Sequence, residues 1–349
     1  MKSIRHPDQN RSIMGKQFDI ELFNISRFRS EIYGFAILWI MVFHSKAVYP
    51  AFLRFFFSKG NMGCEIFLFI SGISLFFAFQ KKPTLSGYLE RRLLRLLIPV
   101  FLISSWEWLV LYFTGKNRLL VLISRFTLLR LWITGDQQNW FLSCILLSYL
   151  IYPFLYSFFY ERKGRLVLKA SLAYLFVVFF VLMLYFLVPA YYQKVEIALT
   201  RIPVFVLGAA MGNVVYERRS IQKNAPAIFL ALLLIIFFSF ILLSLHFLSP
   251  IQVRLFYLIP GISLVIILSI VFDKLQGTAV NRFFSFLGQM TIELYIIHLL
   301  GRRLLPLTGF YNENSHLHYF IMLACSVGLS FCIHKINELL SARIEKSLL

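Results

Sequence analysis

The chain has 349 residues, of which 59% are hydrophobic, including 39 Phe, and its formal net charge is +19 at pH 7. This apolar share is well above that of ordinary globular domains, which excludes a soluble class of protein. Apolar runs of 18 or more residues are long enough to cross roughly 30 Å of hydrocarbon as helices. These runs lack the period-two alternation of a membrane barrel strand. The composition therefore predicts an all-α, polytopic membrane helix bundle.

Ten transmembrane helices are predicted from these runs. They lie near 31–49, 63–80, 94–114, 139–159, 166–189, 199–216, 226–247, 252–272, 283–300 and 317–334. The stretch 118–134 is apolar, but Arg118, Arg125 and Arg130 interrupt it. Such a pattern favours an interfacial or re-entrant helix over an eleventh crossing.

Lys and Arg are in excess in alternate connections, beginning with the N-terminal segment, which predicts that both termini are cytoplasmic. The net positive charge reflects this bias and an attraction to anionic membrane lipid, so no nucleic-acid partner is expected. Residues 1–29 form a predicted basic cytoplasmic tail without the apolar core of a signal peptide, so we expect the first span to target the chain. No connection is long enough for a separate soluble domain, and 1–349 is predicted to be one integral-membrane domain.

Two ionisable residues lie early in these apolar runs: His44 and Glu65. An ionisable group within a membrane span is costly and usually faces the interior of the bundle or a water-filled cavity. His44 suits a general base that takes the proton of an acceptor hydroxyl, and Glu65 could orient the imidazole or bind acceptor hydroxyls. The alternatives are a histidine that only joins two helices and a carboxylate at a helix end. We expect both residues to be catalytic.

A basic cluster precedes the third span, formed by Arg91, Arg92 and Arg95. At helical spacing these side chains can share one face, and the planar guanidinium group suits phosphate oxygens. The alternative is anchoring to anionic lipid on the cytoplasmic side.

Three further features of the sequence are a carboxylate in the third span, the cysteines and a pair of glycines. Glu107 is costly in the third span and could line the same cavity as His44. The four Cys fall in apolar runs without the spacing of metal ligands, so no metal site is expected. Gly208 and Gly212 form a GxxxG pattern, which is typical of close helix contact.

Six motifs follow one another along the chain. They are Arg29–Ser45 (RSEIYGFAILWIMVFHS), Gly63–Gly72 (GCEIFLFISG), Arg91–Pro99 (RRLLRLLIP), Trp140-Phe-Leu with Tyr152-Pro153 downstream, Arg201–Gly208 (RIPVFVLG) and Leu287–His298 (LGQMTIELYIIH). Together they resemble the acyltransferase 3 family, whose members are integral-membrane enzymes. These enzymes transfer acetyl or other short acyl groups to sugars of cell-surface or secreted glycans. One position departs from the family pattern: Tyr33 stands where the family usually has an Arg, and Arg29 lies one helical turn away.

The resemblance implies transfer of an acetyl or other short acyl group from cytoplasmic acyl-CoA, with acetyl-CoA as the expected donor. The acceptor would be a sugar hydroxyl of a cell-surface or exported polysaccharide or its lipid-linked precursor. It implies O-acetylation in the cell envelope, in a bacterial inner or plasma membrane. The Arg cluster would bind the CoA phosphates. The expected substrate-pocket residues are Ser71, Glu107, Trp140, Arg201, Tyr295 and His298. A single cavity, open to the cytoplasm, is expected to join the cluster to His44. The alternative function is a transporter or flippase of a polar or lipid-linked solute.

Overall fold

The computed structural model describes residues 18–81 and 85–347, so residues 1–17 of the predicted cytoplasmic tail lie outside the described part. The helices are α1 (Asn24–Arg27), α2 (Arg29–Phe43), α3 (Ala51–Phe57), α4 (Gly63–Lys81), α5 (Leu85–Phe113), α6 (Leu119–Phe126), α7 (Arg130–Thr134), α8 (Trp140–Tyr156), α9 (Leu166–Leu187), α10 (Pro189–Leu199), α11 (Ile202–Tyr216), α12 (Ala225–Ser244), α13 (Pro250–Phe256), α14 (Leu258–Lys274), α15 (Ala279–Gln289), α16 (Thr291–Leu304) and α17 (His316–Ser347). Two short strands, β1 (Ile20–Glu21) and β2 (Ser220–Ile221), pair antiparallel. The chain is an all-α polytopic bundle, as the composition predicts.

Eight helical stretches within the described ranges are long and apolar enough to cross a membrane, and the bent pair α15 and α16 is a ninth candidate. These nine correspond in order to the second to tenth predicted spans. The first predicted span, 31–49, is too long. Its helix α2 has 15 residues, which is about 22 Å of rise. The chain leaves the helix at His44, and Pro50 disfavours helical geometry in the residue before it.

The ninth predicted span, 283–300, is not a straight crossing. The axes of α15 and α16 differ by 75°, with Met290 in a non-helical conformation between them. Just before the bend, α15 lies very close to α2: a Cβ atom on Gly288 would overlap the backbone of Ser30. The stretch 118–134 forms α6 and α7, each too short to cross, with Leu128 between them at φ 56°.

The bundle is organised around two close helix pairs, α4 with α11 and α2 with α15. Gly208 of α11 lies against the Phe69 carbonyl of α4, and Gly212 lies against the Phe76 side chain. This confirms the predicted close contact at the GxxxG pattern. Small residues let two backbones approach closely. The van der Waals packing that results is one of the forces that hold helices together in lipid. Helices α9 and α12 lie at the periphery, where few of their side chains are buried and many apolar ones are exposed.

The packing of Gly208 predicts that Gly208→Ala separates α4 from α11. Overpacking of this kind typically costs about 1–3 kcal/mol, so the thermal midpoint of the purified protein in detergent should fall. The matched control is Gly328→Ala in α17, where a Cβ atom meets nothing within 4 Å. A midpoint equally high in both variants would contradict the close α4–α11 contact.

Candidate active site

The imidazole of His44 is hydrogen-bonded to the imidazole of His298. His44 directly follows the last residue of α2, and His298 lies on α16, fully buried. The His44 Nδ1 to His298 Nε2 distance is 3.1 Å, and the two rings stack with their centroids 5.3 Å apart. The His298 Nδ1 atom lies 2.9 Å from the Leu294 carbonyl oxygen. The bend between α15 and α16 sets the direction of the helix that carries His298.

This chain of contacts determines the tautomers of both histidines. A carbonyl oxygen only accepts, so His298 Nδ1 carries the proton and donates to Leu294. With both rings neutral, His298 Nε2 is then the acceptor, and His44 Nδ1 donates to it. The His44 Nε2 atom consequently keeps its lone pair. A partner that fixes the tautomer in this way keeps the other ring nitrogen free to accept a proton, as a general base must.

His44 lines a cavity of about 390 Å³, which we call the outer cavity after the orientation predicted from the Lys and Arg distribution. Its other lining residues are Lys46, Gln137, Gln138, Leu299, Arg302, Arg303, Tyr311, Glu313 and Tyr319. Two ion pairs lie at this cavity, Lys46 with Glu313 and Arg303 with Glu107. The Glu107 carboxylate lies 2.9 Å from Arg303 Nη2 and 3.5 Å from the Gln138 amide. Glu107 therefore belongs to the wall beside the outer cavity.

The three predicted arginines line two further cavities that share Arg29, Tyr33 and Arg95. One, of about 360 Å³, is lined by Arg91, Leu94 and residues of α17. The other, of about 80 Å³, is lined by Arg92, Ser71, Phe141 and Tyr295. We call the two together the inner cavity. None of the four arginines forms an ion pair with a carboxylate within the described residues. Their positive charge is available to an anion.

The predicted single cavity is wrong for this conformation, because the inner and outer cavities share no lining residue. Tyr295 lies between them. Its ring lines the inner cavity and packs against His298 with 5.8 Å between centroids, and it contacts Phe141 at 5.2 Å. Aromatic packing of α16 on α8 therefore closes the inner cavity just short of the two histidines.

Glu65, expected beside His44, pairs instead with Arg201. The Glu65 Oε1 to Arg201 Nε distance is 3.0 Å, and both side chains are essentially inaccessible to solvent. The two atoms are close enough for an ion pair, but the contact does not have the geometry of a hydrogen bond. The Arg201 guanidinium also lies over the Trp140 ring, 4.7 Å from its centroid. These three predicted residues are thus brought together, in a cluster distinct from the pair of histidines.

The predicted residues otherwise fall on the inner cavity. The Ser71 hydroxyl lies 3.4 Å from the Tyr33 hydroxyl, and the Tyr33 ring stacks on Phe67. Arg29, the first residue of α2, lines both parts of the inner cavity. Sequence reasoning did not assign it to the site, because its direction depends on where α2 begins. Arg302, also missed, looks in the sequence like an ordinary cation at a helix end.

The family model for the acyltransferase domain Acyl_transf_3 matches residues 34–335, and the chain belongs to this family. It is therefore a multi-pass membrane acyltransferase, an enzyme rather than a transporter. No curated protein and no solved structure matches the chain. In 18–81 and 85–347, no group of three or more His, Cys, Asp or Glu is placed to hold a metal ion.

The buried Glu65–Arg201 pair predicts a strong dependence of stability on both partners. Arg201→Met leaves an unpaired buried carboxylate, a change that typically costs about 3–5 kcal/mol. The double variant Glu65→Gln/Arg201→Met removes both charges and should recover most of the thermal midpoint. The control Arg219→Gln breaks an exposed pair with Glu217, for which a loss below about 1 kcal/mol is expected. The prediction fails if the single and double variants unfold at the same temperature.

Proposed function

We propose that this acyltransferase moves an acetyl or other short acyl group from cytoplasmic acyl-CoA to a hydroxyl of a glycan, in a bacterial inner or plasma membrane. The acceptor is a cell-surface or exported polysaccharide or its lipid-linked precursor. The observation that carries the proposal is the chain from Leu294 through His298 to His44. It leaves the unprotonated His44 Nε2 atom beside the outer cavity, which is separate from the inner cavity.

The donor side is the inner cavity. Four guanidinium groups without carboxylate partners, those of Arg29, Arg91, Arg92 and Arg95, suit the phosphates of CoA. Beyond them the cavity narrows between apolar side chains, including Ile37, Phe67 and Ile145. Such a passage suits the thin arm of the coenzyme and a short acyl group. No metal is needed for this binding mode.

In the proposed reaction, His44 Nε2 takes the proton of the acceptor hydroxyl while the hydroxyl oxygen attacks the thioester carbonyl carbon. An ester C–O bond forms, the C–S bond breaks, and His44 returns the proton to the departing sulfur. His298 accepts from His44 Nδ1 throughout and so stabilises the imidazolium that forms. Transfer requires the thioester to pass Tyr295 and Phe141, so these rings must move during the cycle. Glu65 and Arg201 support the helices beside this passage, and we propose that their role is to hold that region rather than to move protons.

The role of the histidines predicts two graded losses. His44→Ala removes the base and should lower CoA release in the presence of acceptor by about 10²–10⁴-fold. His298→Phe leaves the base with an unfixed tautomer, so kcat should fall while the KM for acyl-CoA stays unchanged. The control is His246→Asn, an exposed histidine at φ 54°, where Asn tolerates the left-handed backbone. Full acyl transfer by His44→Ala at normal abundance would remove His44 from the mechanism.

The role of the arginines predicts a loss of donor affinity. Arg92→Gln/Arg95→Gln removes charge-assisted hydrogen bonds worth about 1.5–3 kcal/mol each, so Kd for CoA should rise tenfold or more. The control Arg165→Gln removes an exposed cation at the N-terminal end of α9, also on the predicted cytoplasmic side. Equal CoA affinity in all three proteins, with altered insertion of the double variant, would favour lipid anchoring instead.

A further inference from the structure

Three Lys and Arg side chains line the outer cavity, and only two of them form ion pairs within the described part of the chain. Lys46 pairs with Glu313, and Arg303 pairs with Glu107. Arg302 lines the same cavity, and it forms no ion pair with any carboxylate of residues 18–81 or 85–347. One uncompensated guanidinium group therefore faces the space beside His44.

Arg302 lies on the same face of α16 as His298, the hydrogen-bonding partner of His44. His298 and Arg302 are four residues apart on α16, a spacing that places their side chains on neighbouring turns of one face. His298 holds the His44 ring at 3.1 Å, so the cation and the base open into one space. A ligand that reaches His44 from the outer cavity therefore passes within the field of Arg302.

The position of Arg302 has a second explanation. A cation in the last turn of a helix stabilises its C-terminal end through the helix dipole. Arg303 occupies the same turn and could supply that stabilisation while paired with Glu107. The dipole alone therefore does not account for a second arginine that faces the cavity without a carboxylate.

We propose that the outer cavity takes an acceptor glycan that carries an anionic group, either a carboxylate or a phosphate, and that Arg302 binds this group. The proposal rests on the function proposed above, since it names the class of acceptor for the same site. The amides of Gln137 and Gln138 and the hydroxyl of Tyr311 line the cavity and can hydrogen-bond sugar hydroxyls. Arginine's planar fork matches the two oxygens of a carboxylate or phosphate. The anion would thus fix the sugar while one hydroxyl reaches His44.

The test measures binding without acyl transfer. Leu299→Cys places a thiol at the outer cavity without removing a polar lining group, in a background where the exposed Cys325 and Cys332 are serine. A membrane-impermeant maleimide labels it in nanodiscs, and matched methyl glycosides compete: glucuronide, glucoside 6-phosphate and the neutral glucoside. We expect an anionic glycoside to protect at a concentration about tenfold or more below that of the glucoside. The stronger of the two anionic arms identifies carboxylate or phosphate.

Two cavity variants make the test specific. Arg302→Gln should abolish the preference for the anionic glycosides. The matched control Lys46→Gln/Glu313→Gln removes a cation together with its carboxylate, so the net charge is unchanged and the preference should remain. Equal protection by all three glycosides, protection by none, or an undiminished preference in Arg302→Gln would overturn the proposal. Selective protection in a protein that releases no CoA with any acceptor would instead refute the proposed reaction and leave the anion site standing.

Discussion

A polar side chain in the hydrocarbon of a membrane must find its partner inside the protein, because no water is there to take the partner's place. Glu65 meets Arg201, and His44 meets His298, each pair joining helices far apart in the sequence. These contacts need closely packed helices, which glycines provide where α4 meets α11 and α2 meets α15. Packing and polar pairing are therefore parts of one arrangement.

Much of the fold was predictable, because hydrophobic run length is a strong signal for membrane helices. Nine of the ten predicted spans have a matching membrane-length stretch or bent pair in the described residues. The early end of α2 and the 75° bend before α16 were not predictable. The bend depends on a tertiary contact, since Gly288 fits against Ser30 only once the helices are assembled. The end of α2 falls inside an unbroken apolar run, so run length alone does not mark it. The sidedness of the bundle remains a prediction from the distribution of Lys and Arg.

The candidate site was predictable by residue type but not by pairing. Unusual polar residues in apolar runs drew attention to His44, Glu65 and Glu107, and ordered motifs added Arg201 and His298. Nothing local reveals that His298, 254 residues away, is the partner of His44, or that Glu65 is held by Arg201. Arg29 and Arg302 could not be distinguished from ordinary cations at helix ends, because only the folded cavities show which way they face.

We propose that donor and acceptor reach the two histidines from opposite faces of the membrane, through cavities that Tyr295 separates. Two-sided cysteine labelling in oriented vesicles tests this most directly, with one thiol at Leu94 and the other at Lys46. The Leu94→Cys thiol should be labelled only from the cytoplasmic face and should be protected by CoA. The Lys46→Cys thiol should be labelled only from the opposite face, with no protection by CoA. Labelling of both thiols from one face, or protection of both by CoA, would contradict the two-cavity arrangement.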